Sequence, residues 1–149
     1  RRDCAWRVRR RDGRRCFGPH RRFVRPSGSN IVRRVAAART VRFAAPAEAD
    51  MIEALRASQH NFGTRARTRY AHLIMSTVQT LARDPQGVGS KNRSDLRDQL
   101  WSRHLRSQAK SSGVREPRHV IFYEFDETHV IIARVLHEAM DFETELRRP

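Results

Sequence analysis

Residues 118–146 read RHVIFYEFDETHVIIARVLHEAMDFETEL, and this stretch decides the fold. In its first half, Val120 and Phe122 point to one side of an extended chain, while Ile121 and Tyr123 point to the other. After the turn at 126–128 comes a nearly unbroken apolar run, which is typical of an inner strand buried on both faces. The stretch therefore predicts a β-hairpin at the centre of a sheet.

The chain on either side of this hairpin predicts one more strand and three helices. A strand is expected at 40–43, followed by a helix from Pro46 to Gly63 and a second helix from Thr64 to 84. Ala139, Phe142 and Leu146 have the spacing of a short terminal helix. The fold class predicted is α+β, with a small antiparallel sheet packed against an N-terminal helical hairpin and a short C-terminal helix. In residues 94–110, spacing alone favours a helix.

The positive charge is concentrated in the first 39 residues. The whole chain has a net charge of +15, of which residues 1–39 carry +12 (14 Arg against two Asp), so residues 40–149 carry only +3. This Arg-rich segment has few large aliphatic side chains, and we expect a disordered tail or a non-native extension ahead of a domain at 40–149. A nucleic-acid-binding arm is the alternative.

A third hypothesis for the tail is a metal site made by Cys4, Cys16 and His20. Their spacing matches no zinc pattern, so no metal and no cofactor are expected. The sequence has no apolar run of the roughly 18 residues that a membrane span needs, and no apolar core of a secretory signal. A cytoplasmic protein is therefore expected.

In order and spacing, the segments of the domain resemble the RelE/ParE toxin superfamily, and specifically its ParE branch. The resemblance runs from about Val41 to Leu146, and the tail has no counterpart in the family. The residues that carry it are the strand HVIFY at 119–123, the strand end RVLH at 134–137 with EAMD after it, and the helical opening at 44–63 with Tyr70 and LARDP at 81–85. The resemblance implies a short turn or helix near 94–98, a strand near 100–107 and a loop at 108–117.

The family contains two activities, and the residues must decide between them. RelE-type members are ribosome-dependent mRNA endonucleases, which need a base, a proton donor and cations around the phosphate. ParE-type members inhibit DNA gyrase by binding. The candidates for a nuclease site are the side chains that the hairpin brings together: Arg118, His119, Tyr123, Arg134 and His137.

Each of these candidates also has an ordinary structural explanation. Tyr123 suits a core position with its hydroxyl at the edge. His137 suits a strand end where it bonds locally, and Arg134 suits an ion pair with an acid such as Glu124. Because the domain is only mildly basic, we favour the branch without a nuclease and expect no catalytic residues.

The resemblance also implies a partner. It predicts the toxin component of a type II toxin–antitoxin system for plasmid stabilisation and growth inhibition, held in a hetero-oligomer by a ParD-like antitoxin that lies over the helical hairpin and the sheet. DNA gyrase is the expected target, with the ribosome and mRNA as the alternative. The positions expected to be exposed for antitoxin or target binding are Phe62, Tyr70, Trp101, Arg103, Leu105, Arg106 and Met140.

Overall fold

The structure is a computed structural model, and it describes residues 38–147. The predictions for the Arg-rich segment, including the site at Cys4, Cys16 and His20, lie outside these residues. Arg39 is firmly bonded, since its backbone N–H donates to the carbonyl of Ala82 at 2.8 Å and its Nε donates to the carbonyl of Asp126 at 2.6 Å. The domain described here therefore includes Arg39.

The elements follow the predicted order, with two additions. They are β1 Thr40–Phe43, α1 Ala45–Phe62, α2 Thr64–Arg83, β2 Ser90–Asn92, β3 Trp101–His104, a 3-10 turn Leu105–Gln108, α3 Ala109–Ser112, β4 His119–Phe125, β5 His129–His137 and α4 Phe142–Arg147. The sequence did not predict β2 or α3. The strand expected near 100–107 is confirmed only as far as His104, where the chain turns into the 3-10 segment. No helix formed by residues 38–147 is both long and apolar enough to cross a membrane.

The five strands form one sheet in the order β1-β5-β4-β3-β2. The four strands from β2 to β5 pair antiparallel, as predicted, and β5 lies inside the sheet. β1 adds to β5 in parallel, with Thr40 opposite His129. A parallel pair requires a long crossover connection. Residues 44–128, which begin with the helical hairpin, form that connection.

The helical hairpin covers one face of the sheet. Gly63, with φ of 82°, joins α1 to α2 without an intervening loop, and this left-handed φ favours glycine. The apolar spacing of α2 predicts one buried face, and Tyr70, Leu73, Ile74, Thr77, Val78 and Leu81 confirm it. On α1, Ala47 and Ala54 are buried and Met51 and Leu55 pack against the core, whereas Ile52, which has the same helical spacing, is exposed. Small side chains let α1 approach its neighbours closely.

Each face of the hairpin β4–β5 has its own core. Under the helices, Ile121 and Tyr123 are buried with residues of α2 and β5. On the opposite face, Val120 and Phe122 are buried with Leu100 and Leu136, and α4 covers them through Phe142 and Leu146. The second face is less complete, since Ile131 of β5 is 39% exposed. Ala139 is exposed and precedes α4, so its predicted place on the helix was wrong.

A bulge in β5 sets which side chains reach each core. Phe122 pairs with Arg134 but Tyr123 pairs with Ile132, so Ala133 is an extra residue on β5. Before the bulge Val130 and Ile132 face the helices, and after it Val135 does. The bulge therefore places His137 on the helical face as well.

Arg134 joins α1, β5 and α4 at the point where β1 ends. Its Nε donates to Oδ2 of Asp50 at 2.7 Å, and its guanidinium also donates to the carbonyl and carboxylate of Glu145. The same Asp50 oxygen accepts the backbone N–H of Val135 at 3.0 Å, which no strand partner satisfies. The ion pair predicted for Arg134 is thus present, but its partner is not Glu124, which instead pairs with Arg97.

The ion pair between Arg134 and Asp50 is largely buried, since their side chains are 12% and 14% exposed. The hydrogen bond with Asp50 raises the pKa of Arg134 above its ordinary value. Removing Asp50 leaves the nearly buried Arg134 with Glu145 as its remaining carboxylate partner, and removing Arg134 takes away the cation that pairs with the nearly buried Asp50; either change is destabilising.

We therefore expect Asp50→Ala to lower the free energy of unfolding by about 2–3 kcal/mol, because it also orphans the N–H of Val135. Glu53→Ala, on the exposed side of the same helix, is the control and should change stability by less than about 0.5 kcal/mol. Urea denaturation at pH 7 measures both. Equal losses in the two variants would contradict the role given to Asp50.

Candidate functional site

Three inner strands bring a histidine to the same end of the sheet. β3 ends at His104, β4 begins at His119 and β5 ends at His137. His119 and His137 are paired opposite each other, and His104 lies opposite Val120. With Tyr70 of α2 and Glu138, these residues form what we call the histidine cluster. The register divides it between the two faces of the sheet.

On the helical face, Tyr70 and His119 are joined by a hydrogen bond of 2.6 Å between Oη and Nδ1. The ring of His137 meets that of His119 edge to face, with centroids 5.2 Å apart. Burial raises the pKa of Tyr70 to about 12. Burial, reinforced by the nearby His137, lowers the pKa of His119 to about 4. At neutral pH the pair is therefore an uncharged phenol and an uncharged imidazole.

On the other face, His104 and Glu138 are bonded at 2.9 Å. Nδ1 of His104 accepts the backbone N–H of Arg106, so Nε2 is the donor to the carboxylate. This hydrogen bond lowers the pKa of Glu138 below its ordinary value. The guanidinium groups of Arg106 and Arg118 lie 3.3 Å and 4.0 Å from the carboxylate. Glu138 thus lies within ion-pair distance of both arginines.

The structure brings together three of the five nuclease candidates and separates the other two. Arg118, His119 and His137 meet at the strand ends. Tyr123 is fully buried further along β4, where its hydroxyl bonds to the carbonyl of Pro85 and the hydroxyl of Ser90. Arg134 is held in its ion pair with Asp50. The core position predicted for Tyr123 is confirmed.

The three candidates that meet, Arg118, His119 and His137, form ion pairs and hydrogen bonds with other groups of the fold. His137 accepts the backbone N–H of Ala139 through Nδ1 at 3.2 Å, which is the local bond predicted for it. His119, with its lowered pKa, carries no proton to donate as a cation at neutral pH, and its Nδ1 is occupied. RNA cleavage by the 2′-hydroxyl needs an acid and a base poised near the working pH. His119 is therefore not available there as a cationic acid.

The sequence did not single out His104 or Glu138. The signal for Glu138 was its place directly after His137 at a strand end. The signal for His104 was its position at the end of the neighbouring predicted strand. Both required the pairing of β3 with β4 to be known.

Exposure divides the seven expected binding positions. Leu105, Arg103 and Tyr70 are buried, so the expectation that they are exposed is wrong. Trp101 is half-buried and packs edge to face on Phe125, with centroids 5.7 Å apart. The remaining three, Phe62, Arg106 and Met140, are exposed.

Phe62 stands out among the exposed apolar side chains, being 77% exposed at the end of α1. Met140 is 45% exposed beside the histidine cluster. Val88 is 93% exposed in the loop between α2 and β2. Within residues 38–147, no group of His, Cys, Asp and Glu side chains is arranged to hold a metal ion.

The architecture is that of a small α+β domain in which a helical hairpin covers a mixed five-stranded sheet. Residues 41–142 match the family described as the ParE toxin of the type II toxin–antitoxin system, parDE. That match covers more than half of the chain, and the protein belongs to the ParE toxin family.

A solved structure supports the fold independently. The chain is similar to one in a structure titled "Chromosomal ParDE TA system from P. aeruginosa", with a TM-score of 0.51 and 12% sequence identity. The likeness covers 67% of this chain and 96% of that chain. No curated protein matches the sequence. The resemblance found in the sequence and the predicted α+β fold are therefore confirmed.

The pKa of His119 predicts a pH-dependent stability. In the unfolded chain histidine binds a proton near pH 6.5, whereas the folded protein resists until about pH 4. Between these values the unfolded state binds more protons, so stability is full above pH 6.5 and falls as the pH falls.

We expect wild-type stability to drop from pH 7 to pH 5 by about 2 kcal/mol more than that of His119→Gln. Glutamine keeps an acceptor for Tyr70 but does not titrate. Urea denaturation at the two pH values measures the difference. If both proteins lose the same stability, His119 is not the group responsible.

Proposed function

We propose that this toxin acts by binding DNA gyrase and is neutralised by a ParD-like antitoxin in the cytoplasm. Membership of the ParE family supports a role in a type II toxin–antitoxin system. The observation that favours binding over cleavage is the histidine cluster, because its histidine, tyrosine and glutamate side chains are hydrogen-bonded within the protein. A surface built this way recognises a partner without reacting with it.

The opposing hypothesis is an mRNA endonuclease of RelE type. It requires cations that are free to stabilise a phosphate in the transition state. In the cluster, Arg106 and Arg118 lie against Glu138, whose carboxylate is also bonded to His104. A phosphate would have to displace that carboxylate, so the geometry favours the gyrase hypothesis.

The exposed apolar residues supply the contact surface in this proposal. Phe62 at the turn between α1 and α2 has the size and exposure of an anchor for a partner. Met140 and Arg106 follow the ends of β5 and β3, at the edge of the sheet where the histidine cluster lies, and an unbranched apolar side chain such as that of Met140 adapts to different partners. We assign these three residues to antitoxin or target binding.

The experiment that separates the two activities uses purified gyrase. We expect the protein to inhibit supercoiling, and the double variant His119→Gln with His137→Gln to inhibit within about threefold of wild type. Phe62→Ser should weaken inhibition or antitoxin binding by at least about tenfold, because it removes an anchor. Ile52→Ser, a matched exposed apolar residue on α1, is the control.

The nuclease hypothesis predicts a different outcome in bacteria. Expression would stop translation and leave mRNA cut in the ribosomal A-site, and the double histidine variant would lose this activity. Filamentation with a DNA-damage response, unchanged in that variant, is the result expected from gyrase inhibition.

The Arg-rich segment provides a further prediction. We expect a chain starting at Ala38 to keep the fold, the toxicity and antitoxin binding, because the bonds of Arg39 remain. Growth inhibition and pull-down of the antitoxin measure this. Loss of toxicity together with loss of affinity for DNA or RNA would instead identify the segment as a nucleic-acid-binding arm.

A further inference from the structure

Arg103 is a buried cation without a counterion. It lies on β3 opposite Ile121, on the helical face of the sheet, and is only 5% exposed. Its Nε donates to the hydroxyl of Ser107 at 3.3 Å. Nη1 is the one buried side-chain nitrogen or oxygen in residues 38–147 that has no hydrogen-bond partner.

None of the ion pairs formed within residues 38–147 includes Arg103. Burying a guanidinium is unfavourable unless it is paired and hydrogen-bonded. Arg134, the other well-buried arginine, shows the contrast, since it has two carboxylates as partners. Within residues 38–147 the guanidinium therefore forms no ion pair, and an acceptor from outside would stabilise it.

The loop between α2 and β2 lies over this guanidinium. A Cβ added at Gly89 would lie 3.1 Å from Cβ of Ser107 and 3.9 Å from Nε of Arg103. Because Gly89 also has φ of 90°, the close approach of the loop depends on glycine. Val88, at 93% exposure, is the most exposed large apolar side chain of the described domain and is next to Gly89. The cation and an exposed apolar residue thus share one small site.

We propose that Arg103 receives a carboxylate from an acidic segment of the antitoxin, with Val88 as the adjoining apolar contact. A charge-assisted hydrogen bond from a guanidinium to a carboxylate is stronger than a neutral one, and Nη2 is the nitrogen left to donate it, because Nε donates to Ser107 and Nη1 is buried. Access is narrow because the residue is nearly buried and the loop lies on Nε, so a single small planar group fits best. This inference rests on the proposed function only for the identity of the partner.

A nucleic-acid phosphate suits this position less well. Asp84 begins the same loop, and a Cβ added at Gly87 would lie 2.6 Å from its Oδ2. Both Asp84 and Arg103 are near enough to Tyr123 to act on that hydroxyl in opposite directions. A nucleic-acid strand would bring several negative charges beside this carboxylate, whereas a peptide segment need bring only one.

The first test is the stability of the free chain. In the full-length protein, Arg103→Met keeps the length of the side chain and removes the unpaired charge, so the midpoint of urea denaturation should stay equal or rise. A clear fall in the midpoint would show that Arg103 serves the fold, and would overturn the proposal.

The second test is binding of synthetic peptides to the full-length chain at fixed ionic strength. The probe is a capped peptide of alternating Glu and Leu, and its control has Gln at every Glu. We expect wild type to bind the acidic peptide at least about tenfold tighter than the control, since a charged pair replaces an unpaired cation. Arg103→Met should lose this preference, whereas Arg106→Met, a matched exposed cation, should keep it.

Two results would overturn the carboxylate site. Equal losses in Arg103→Met and Arg106→Met would mean that only overall charge matters. Displacement of the acidic peptide by inorganic phosphate at lower concentration than by acetate would assign Arg103 to a phosphate. Because no gyrase is present in these measurements, either result leaves the gyrase assay to decide the proposed function separately.

Discussion

The pairing of β4 with β5 is the constraint on which the rest of this structure depends. Both faces of the hairpin are apolar, so each must be covered, and one helical pair can cover only one of them. The helical hairpin covers the first face. The turn before β3 and the short helix α4 cover the second face. The ion pairs of Arg134 with Asp50 and Glu145 connect α4 to the first half of α1.

The register of β4 with β5 also explains why the polar residues of the hairpin contribute to the fold. His119 lies opposite His137, and their rings contact each other edge to face. Tyr70 comes from the buried face of α2, and Glu138 contacts His104, Arg106 and Arg118. The polar groups at these strand ends are therefore bonded within the fold, and the exposed Met140 lies beside them.

Much of the fold followed from the sequence, because periodicity identifies long elements well. The two helices, the hairpin and its two-sided burial were all predicted from the spacing of apolar residues. The bulge at Ala133 was not, since a run of four apolar residues hides the change of face. Nor was the partner of Arg134, because Asp50 is distant in sequence. The exposure expected at the binding positions was wrong for Arg103 and Leu105. Both are buried by elements that come near only through the pairing of β2, β3 and β4.

The parallel pairing of β1 with β5 has a consequence for synthesis. β1 is made first among the strands, yet its only partner in the sheet is made last. A nascent chain can form the local helical hairpin early, but the sheet stays incomplete until β5 has left the ribosome. Completion of the sheet is thus tied to synthesis of β5, and a chain interrupted before residue 129 leaves β1 and β4 each without the strand that lies between them.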